Sequence, residues 1–482
     1  MLNLECQVDI LINNQEVLAE NYAEIHDPGK LTDVVGRVAV GTAEDVDKAV
    51  QAAHKAFLDW RKTDIKERIE KISAAVKVVQ DSMGDLVPLL VREHGGMLWE
   101  AQTDFGIGMA TLEYYAGIGE NFVKTEFIED DSSWVSIEKK AKGVIGAIVP
   151  WNMPVCLTMM KVGPALVTGN TMVIKPSPTA PLAISILLKR IAAVLPDGVI
   201  NVVHGDAGVG VALTRHPLVK KIAFTGGTET GAQVNGNAAS FFKAVTLELG
   251  GNDPAIILDD VNPVDIVPNL LKGVYTRSGQ ICFAVKRIYV QEKMVDKFFN
   301  TMCDIVNEYK VGHGLEEGAS FGPLNNNKQY NLVKAMIENT KNSGAVVREL
   351  GSKLNPEGWD NGYFLLPHVV KDEAHFSRIV SCEQFGPIIP IIPYKTVEQA
   401  IEYANETEYG LCSSVWSSDI QRALAIGQQI EAGSTFINNH SFESLSLGVP
   451  FGGVKNSGMG RELAGEPTLS AYIDYHTMRY LK

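Results

Sequence analysis

Apolar residues recur every three to four positions through residues 42–60, at Val46, Ala49, Val50, Ala53, Phe57 and Trp60. That spacing predicts an amphipathic helix, with Thr42 placed to cap it and Asp45 three residues on to complete a capping box. Ile65, Ile69, Ile72, Val76 and Val79 continue the period, and a longer, glycine-interrupted helical stretch is expected over 83–118. The first third of the chain therefore reads as mainly helical.

From residue 143 the pattern changes. Short β-branched runs (GVIGAIV, TMVIK, VINVV, KKIAFT, AVTLEL) alternate with helical segments near 155–168, 181–195 and from about 229. Such alternation implies a parallel sheet covered by helices. A second round runs from DPAIILDD at 253–260 through RIYVQ, a helix at 292–308, PIIPIIPY, a helix near 396–405, LCSSVWS and a helix near 419–431. It predicts a second α/β unit. Residues 120–141 and the last 13 residues approach two-residue alternation instead, so strands outside both sheets are expected, with edges suited to pairing with another subunit.

The chain has 482 residues, 45% hydrophobic and 21% charged, which excludes a disordered or fibrous protein. Its net charge of −14 argues against nucleic acid and against anionic membrane surfaces as partners. The six cysteines include no CxxC spacing, and no HExxH pair or strict phosphate loop occurs. Disulfide scaffolding and metal sites are not expected. The N-terminal MLNLECQVDILINN lacks a basic leader and carries Asp9, which points to a cytoplasmic protein.

Glycines cluster in FTGGTETG (224–231), LELGGND (247–253), SGQICF (278–283) and PFGGVKNSGMGRE (450–462). Gly226, Thr228 and Gly231 form a GxTxxG turn between a strand and a helix, where free amides can meet a diphosphate. GDAGVGV at 205–211 is a rival, and either is otherwise a tight turn. Cys282 sits at a glycine turn rather than in an apolar run, which suits an accessible thiol, with Arg277 and Lys286 as local cations to favour its thiolate. Glu248 ends a strand just before two glycines, at the sheet edge where α/β folds place ligands. Asn152, in PWNMP, is held between two prolines, a rigid mount for an amide aimed at a reacting oxygen. Lys175 ends a strand before a proline, and Glu383 precedes a Phe-Gly-Pro turn. Either could be ordinary surface charge.

Taken in order, PWNMP, IKPSP, FTGGTETG, LELGG, GQIC, EQFGP and PFGGVKNSGMGRE resemble the aldehyde dehydrogenase superfamily over about residues 8–480. The resemblance implies an α/β protein with a Rossmann-like cofactor domain (1–119 and 142–251), an α/β catalytic domain (252–450) and a small β-ribbon for oligomerisation (120–141 and 467–482). It implies Cys282 as nucleophile, Asn152 and the Cys282 N–H as oxyanion donors, Glu248 as general base and Glu462 as a second acid relaying protons to it. Trp151, Lys175, Ser177, Gly226, Gly227, Thr228, Gly231, Glu383 and Phe385 match cofactor-binding positions. A substrate tunnel of Met153, Cys156, Met160, Phe283, Phe442, Leu445 and Phe451 follows from the same register.

The expected reaction is oxidation of an apolar aliphatic or aromatic aldehyde to its acid, in a homodimer or homotetramer. Alternatives are a coenzyme A-acylating semialdehyde dehydrogenase, which Glu248 disfavours, and a non-catalytic protein reusing the fold. Pro178 stands where NAD-selective members often carry glutamate, so NAD and NADP both stay open. Arg277 replaces a common asparagine and Gly227 a common serine. Arg277 leaves a carboxylated substrate open as well.

Overall fold

The computed structural model describes residues 6–371 and 374–482. The first five residues of the expected cofactor segment lie outside it. The expected first helix is present as Ala43–Trp60, with its capping box closed: the Asp45 amide donates to Thr42 Oγ1 at 3.3 Å and the Thr42 amide to Asp45 Oδ2 at 2.9 Å. The six apolar positions read from the sequence are its buried face. Beyond it, helix Ile65–His94 is followed by helix Leu98–Phe122. The expected stretch over 83–118 is thus divided, because Gly95, with φ of 81°, caps the first helix in the left-handed conformation.

The helical reading of the first third fails before residue 42. Strands Cys6–Val8, Ile10–Ile12, Gln15–Val17, Tyr22–Asp27 and Lys30–Ala39 occupy this region. They are short and half-exposed, so their apolar positions show little period. One local signal was available: Asn13 and Asn14 both take positive φ (54° and 59°), the two-residue turn that joins Ile10–Ile12 to Gln15–Val17.

Five parallel strands build the centre of the first sheet, in spatial order Ala244–Glu248, Val219–Thr225, Val144–Ile148, Thr171–Lys175 and Ile200–Val202. The chain starts in the middle at Val144–Ile148, moves to one side, then returns to the other. That reversal leaves a crevice between the carboxyl ends of Val144–Ile148 and Val219–Thr225, where open α/β sheets bind ligands. The short strand Gly458–Met459 pairs antiparallel with Ala244–Glu248, so the chain returns to the first sheet after completing the second.

The second sheet has seven strands, ordered Val346–Glu349, His368–Lys371, Ile388–Tyr394, Val285–Gln291, Asp253–Ile257, Cys412–Trp416 and Ser434–Ile437, all parallel except the first. A third, separate sheet pairs Ile473–Leu481 with Ser133–Ala141, and the latter with Glu126–Glu129. Residues 467–470 belong instead to helix Gly465–Ser470. Tyr475, Met478, Tyr480 and Leu481 are exposed along the outer strand.

Candidate active site

The loop carrying Cys282 precedes strand Val285–Gln291 and meets the crevice of the first sheet. Two cavities converge on it. One, of about 390 Å³, is lined by Trp151, Asn152, Gly226, Gly227, Cys282, Glu383 and Phe385 among others. The second, of about 140 Å³, contains Asn152 and Cys282 together with all seven expected tunnel residues. Cys282 thus stands where a planar ligand in one cavity and an apolar molecule in the other would meet.

The first cavity suits a dinucleotide by its backbone. Helix Thr228–Ala239 begins at Gly227 with no side-chain cap, and a Cβ on Gly227 would meet nothing within 4 Å among the described residues. Its first amides are free to meet an anion. The rival turn at 205–211 is closed, since Asp206 Oδ1 caps its helix by accepting the Gly208 amide at 2.8 Å. Trp151 and Phe385 meet edge to face at 5.7 Å on the cavity wall. Glu383 accepts the Gly251 amide at 3.0 Å and lies 3.7 Å from the Lys286 ammonium.

Four expected cofactor residues lie off this wall. Gly231 packs under Leu249, where a Cβ would come within 2.4 Å, and Thr228 donates to the Asn456 carbonyl at 3.3 Å. Ser177 bonds the Thr179 hydroxyl. Lys175 is buried, and desolvation lowers its pKa to about 8.

Asn152 donates one amide hydrogen to the Gln280 carbonyl at 2.9 Å, leaving the other for a ligand. The Cys282 N–H donates to no backbone carbonyl among the described residues. Burial pushes the thiol up to about 12, opposed by the Lys286 ammonium. That ammonium is held by the carbonyls of Ile281 (2.9 Å), Cys282 (2.7 Å) and Ala284 (3.2 Å). Arg277 does not contribute as the sequence suggested. Its buried side chain lines neither cavity and is not among the charges acting on the thiol, which removes it as an aid to the thiolate and as an anchor for a substrate carboxylate.

Glu248 is not part of the lining of either cavity. Both carboxyl oxygens are buried without a hydrogen-bond partner among the described residues, and desolvation, with Glu462 nearby, holds its pKa well above the ordinary carboxyl value. Lys161 and Arg461 act in the opposite direction. Lys161 donates to Glu462 Oε1 at 2.9 Å and to Thr225 Oγ1 at 2.7 Å, wholly buried. The sequence reading missed Lys161, although a lone lysine within the apolar helix Pro154–Val167 was its signal. Ile107, Ala110, Leu447 and Leu463 were also missed as cavity wall, because they come from distant elements. Among the described residues no cluster suited to a metal ion occurs, and no helix is long and apolar enough to cross a membrane.

Comparison with known proteins gives a consistent set of relatives. The aldehyde dehydrogenase family model matches residues 17–478. An aldehyde dehydrogenase of Agaricus bisporus is 36% identical over 454 residues, covering 92% of this chain and 88% of its own. Geranial dehydrogenase of Castellaniella defragrans is 36% identical with 93% of each chain covered. Among solved structures, betaine aldehyde dehydrogenase of Staphylococcus aureus in complex with NAD+ superposes with a TM-score of 0.93, at 31% identity, over 98% of this chain and 94% of that one. The NAD+ complex of an aldehyde dehydrogenase from Bacillus cereus also gives 0.93, at 31% identity, over 100% and 97%.

Proposed function

The chain belongs to the aldehyde dehydrogenase family, and from that premise we propose that it oxidises an apolar aldehyde to the free carboxylic acid with NAD or NADP. The observation that carries the reading is the placement of Cys282 in the wall of both the cleft that holds the uncapped helix start at Gly227 and an apolar pocket. In this reading residues 1–119 and 142–251 bind the cofactor, 252–450 carry the nucleophile and the ribbon joins subunits into a dimer or tetramer.

The Cys282 thiolate attacks the aldehyde carbon, and the oxygen becomes an oxyanion facing the free Asn152 amide hydrogen and the Cys282 N–H. A bound nicotinamide supplies the acceptor for the hydride leaving that carbon. The thioester then left on Cys282 is hydrolysed by water whose proton Glu248 takes, and the acid departs with the thiol restored. Among the described residues no hydrogen bond fixes the Glu248 carboxyl, so turning it toward Cys282 breaks none. Lys161 and Arg461 favour its ionised form.

The pocket limits the substrate. Among the described residues no charged side chain lines it, and Asn152 and Ser446 are its only amide and hydroxyl side chains. Phe442 and Phe451 meet Phe283 edge to face at 5.2 and 5.9 Å. Its 140 Å³ is close to the roughly 150 Å³ apolar cavity that accommodates one benzene ring. Ring-sized or short branched aldehydes fit this volume and chemistry. The test is a panel of aliphatic, aromatic and carboxylated aldehydes, each with NAD+ and NADP+, with and without coenzyme A, followed at 340 nm. Cofactor reduction with apolar aldehydes, lost in Cys282→Ala, is expected. Full turnover by Cys282→Ala sinks the mechanism, and preference for carboxylated aldehydes sinks the substrate class.

A further inference from the structure

Arg277 is fully buried beside the nucleophile loop, yet its partners come from two distant stretches, residues 94–100 and Asn152. Its N–H donates to Glu100 Oε1 at 2.5 Å, and its guanidinium stands 3.9 Å from Glu100 Oε2. Nε donates to the Asn152 carbonyl at 3.1 Å and Nη2 to the His94 carbonyl at 3.2 Å. The socket is shaped for it. A Cβ on Gly96 would lie 1.9 Å from Nη1, so only glycine there leaves room for the guanidinium.

The backbone is strained at the same place. Arg277 and Ser278 both adopt left-handed conformations, φ 56° and 58°, followed by Gly279 at 76°. Non-glycine residues in that region are strained and persist where surrounding contacts enforce them. The strained turn aims the next residues. Gln280 Nε2 donates to the Arg277 carbonyl at 2.9 Å, and the Gln280 carbonyl accepts the Asn152 amide. On the other side, Asp104 accepts the amides of Val155 at 3.1 Å and Cys156 at 2.7 Å. Asn152 is thereby gripped at its main chain by Arg277 and at its side chain by the loop that Arg277 starts.

We propose that Arg277 is a positioning residue, whose planar fork ties the Asn152 turn to the Cys282 loop and so fixes the donor geometry at the reacting carbonyl. This rests on the roles given to Asn152 and Cys282 above. A lysine ammonium keeps the charge but not the fork that spans the carbonyls of Asn152 and His94.

The experiment compares the wild type with Arg277→Lys, Arg277→Gln, Gly96→Ala, Asn152→Ala and the Arg277→Gln/Asn152→Ala double variant, using an aldehyde that the wild type oxidises. Small displacements of reacting groups cost up to about 100-fold in rate. Arg277→Gln is therefore expected to lower kcat roughly 10- to 100-fold, with KM for aldehyde and cofactor nearly unchanged, and Arg277→Lys to restore only part of the loss. Gly96→Ala should reproduce the defect with the arginine still present, which keeps the test available if Arg277→Gln does not fold. Because Arg277 acts through Asn152, the double variant should be no slower than Asn152→Ala alone. Multiplying losses in the double variant, or full kcat in both Arg277→Gln and Gly96→Ala, overturn the proposal. A wild type without aldehyde-dependent cofactor reduction overturns the reading of the site itself, a separate and recognisable failure.

Discussion

Replacing Lys161 by methionine preserves the length of the side chain in helix Pro154–Val167 and removes only its ammonium. That ammonium is wholly buried, and its partner Glu462 is 2% exposed. Removing one partner of a buried pair costs about 3–5 kcal/mol, because the other charge is left in low dielectric. At about 2–4 °C per kcal/mol for domains of this size, the melting temperature should fall by roughly 6–20 °C. The same change acts on catalysis. Lys161 is the first of the groups that pull Glu248 down, against burial and Glu462, which push it up. Without it, Glu248 binds its proton more tightly, and the pH at which the base becomes ionised moves upward. The acid limb of the kcat profile should shift to higher pH, while Lys161→Arg should retain much of the wild-type behaviour. Thermal melting followed by turnover between pH 6 and 10 checks both parts. A melting point within 2 °C of wild type would refute the energetic argument, and an unmoved acid limb would refute the link from Lys161 to Glu248.

Two further outcomes follow from the same site. Glu248→Gln should reduce about one equivalent of cofactor per site and then stall, its steady-state kcat lowered about 100- to 10,000-fold by loss of a general base; a variant within threefold of wild type would show that another group activates the water. Burial raises the Cys282 thiol to about 12, so its thiolate fraction lies far below saturation near neutrality and grows as protons are removed. Alkylation of Cys282 in the cofactor-free protein should therefore accelerate about tenfold per pH unit from 7 to 9, and a plateau in that range would mean that the thiol is already ionised.

Much of the site is legible in the chain because its signals are local. The Thr42 capping box and the strand–GGTET–helix turn each follow from neighbours within a few positions, where spacing and residue type decide the backbone, whereas the apolar tunnel residues came from the family resemblance of the motifs around them. The N-terminal strands escaped because each is only three to ten residues long and half-exposed, so little hydrophobic period marks them. Glu93 escaped for another reason. In the sequence it is one charged residue among many, yet in the fold it is buried and its carboxyl accepts the amides of Leu182 and Ala183 at the start of helix Leu182–Ala192, 89 residues away.

Arg277 marks the boundary between the two kinds of information. The sequence places a cation five residues before the nucleophile, and proximity along the chain suggests that it serves the thiol. In the folded protein its charge faces Glu100 and its fork faces the carbonyls of Asn152 and His94. Residue type and local spacing determined which groups this protein carries and the elements that present them. Only packing decided which charges are desolvated and what they touch, because burial and Coulomb energy depend on distances between stretches that the chain order does not specify.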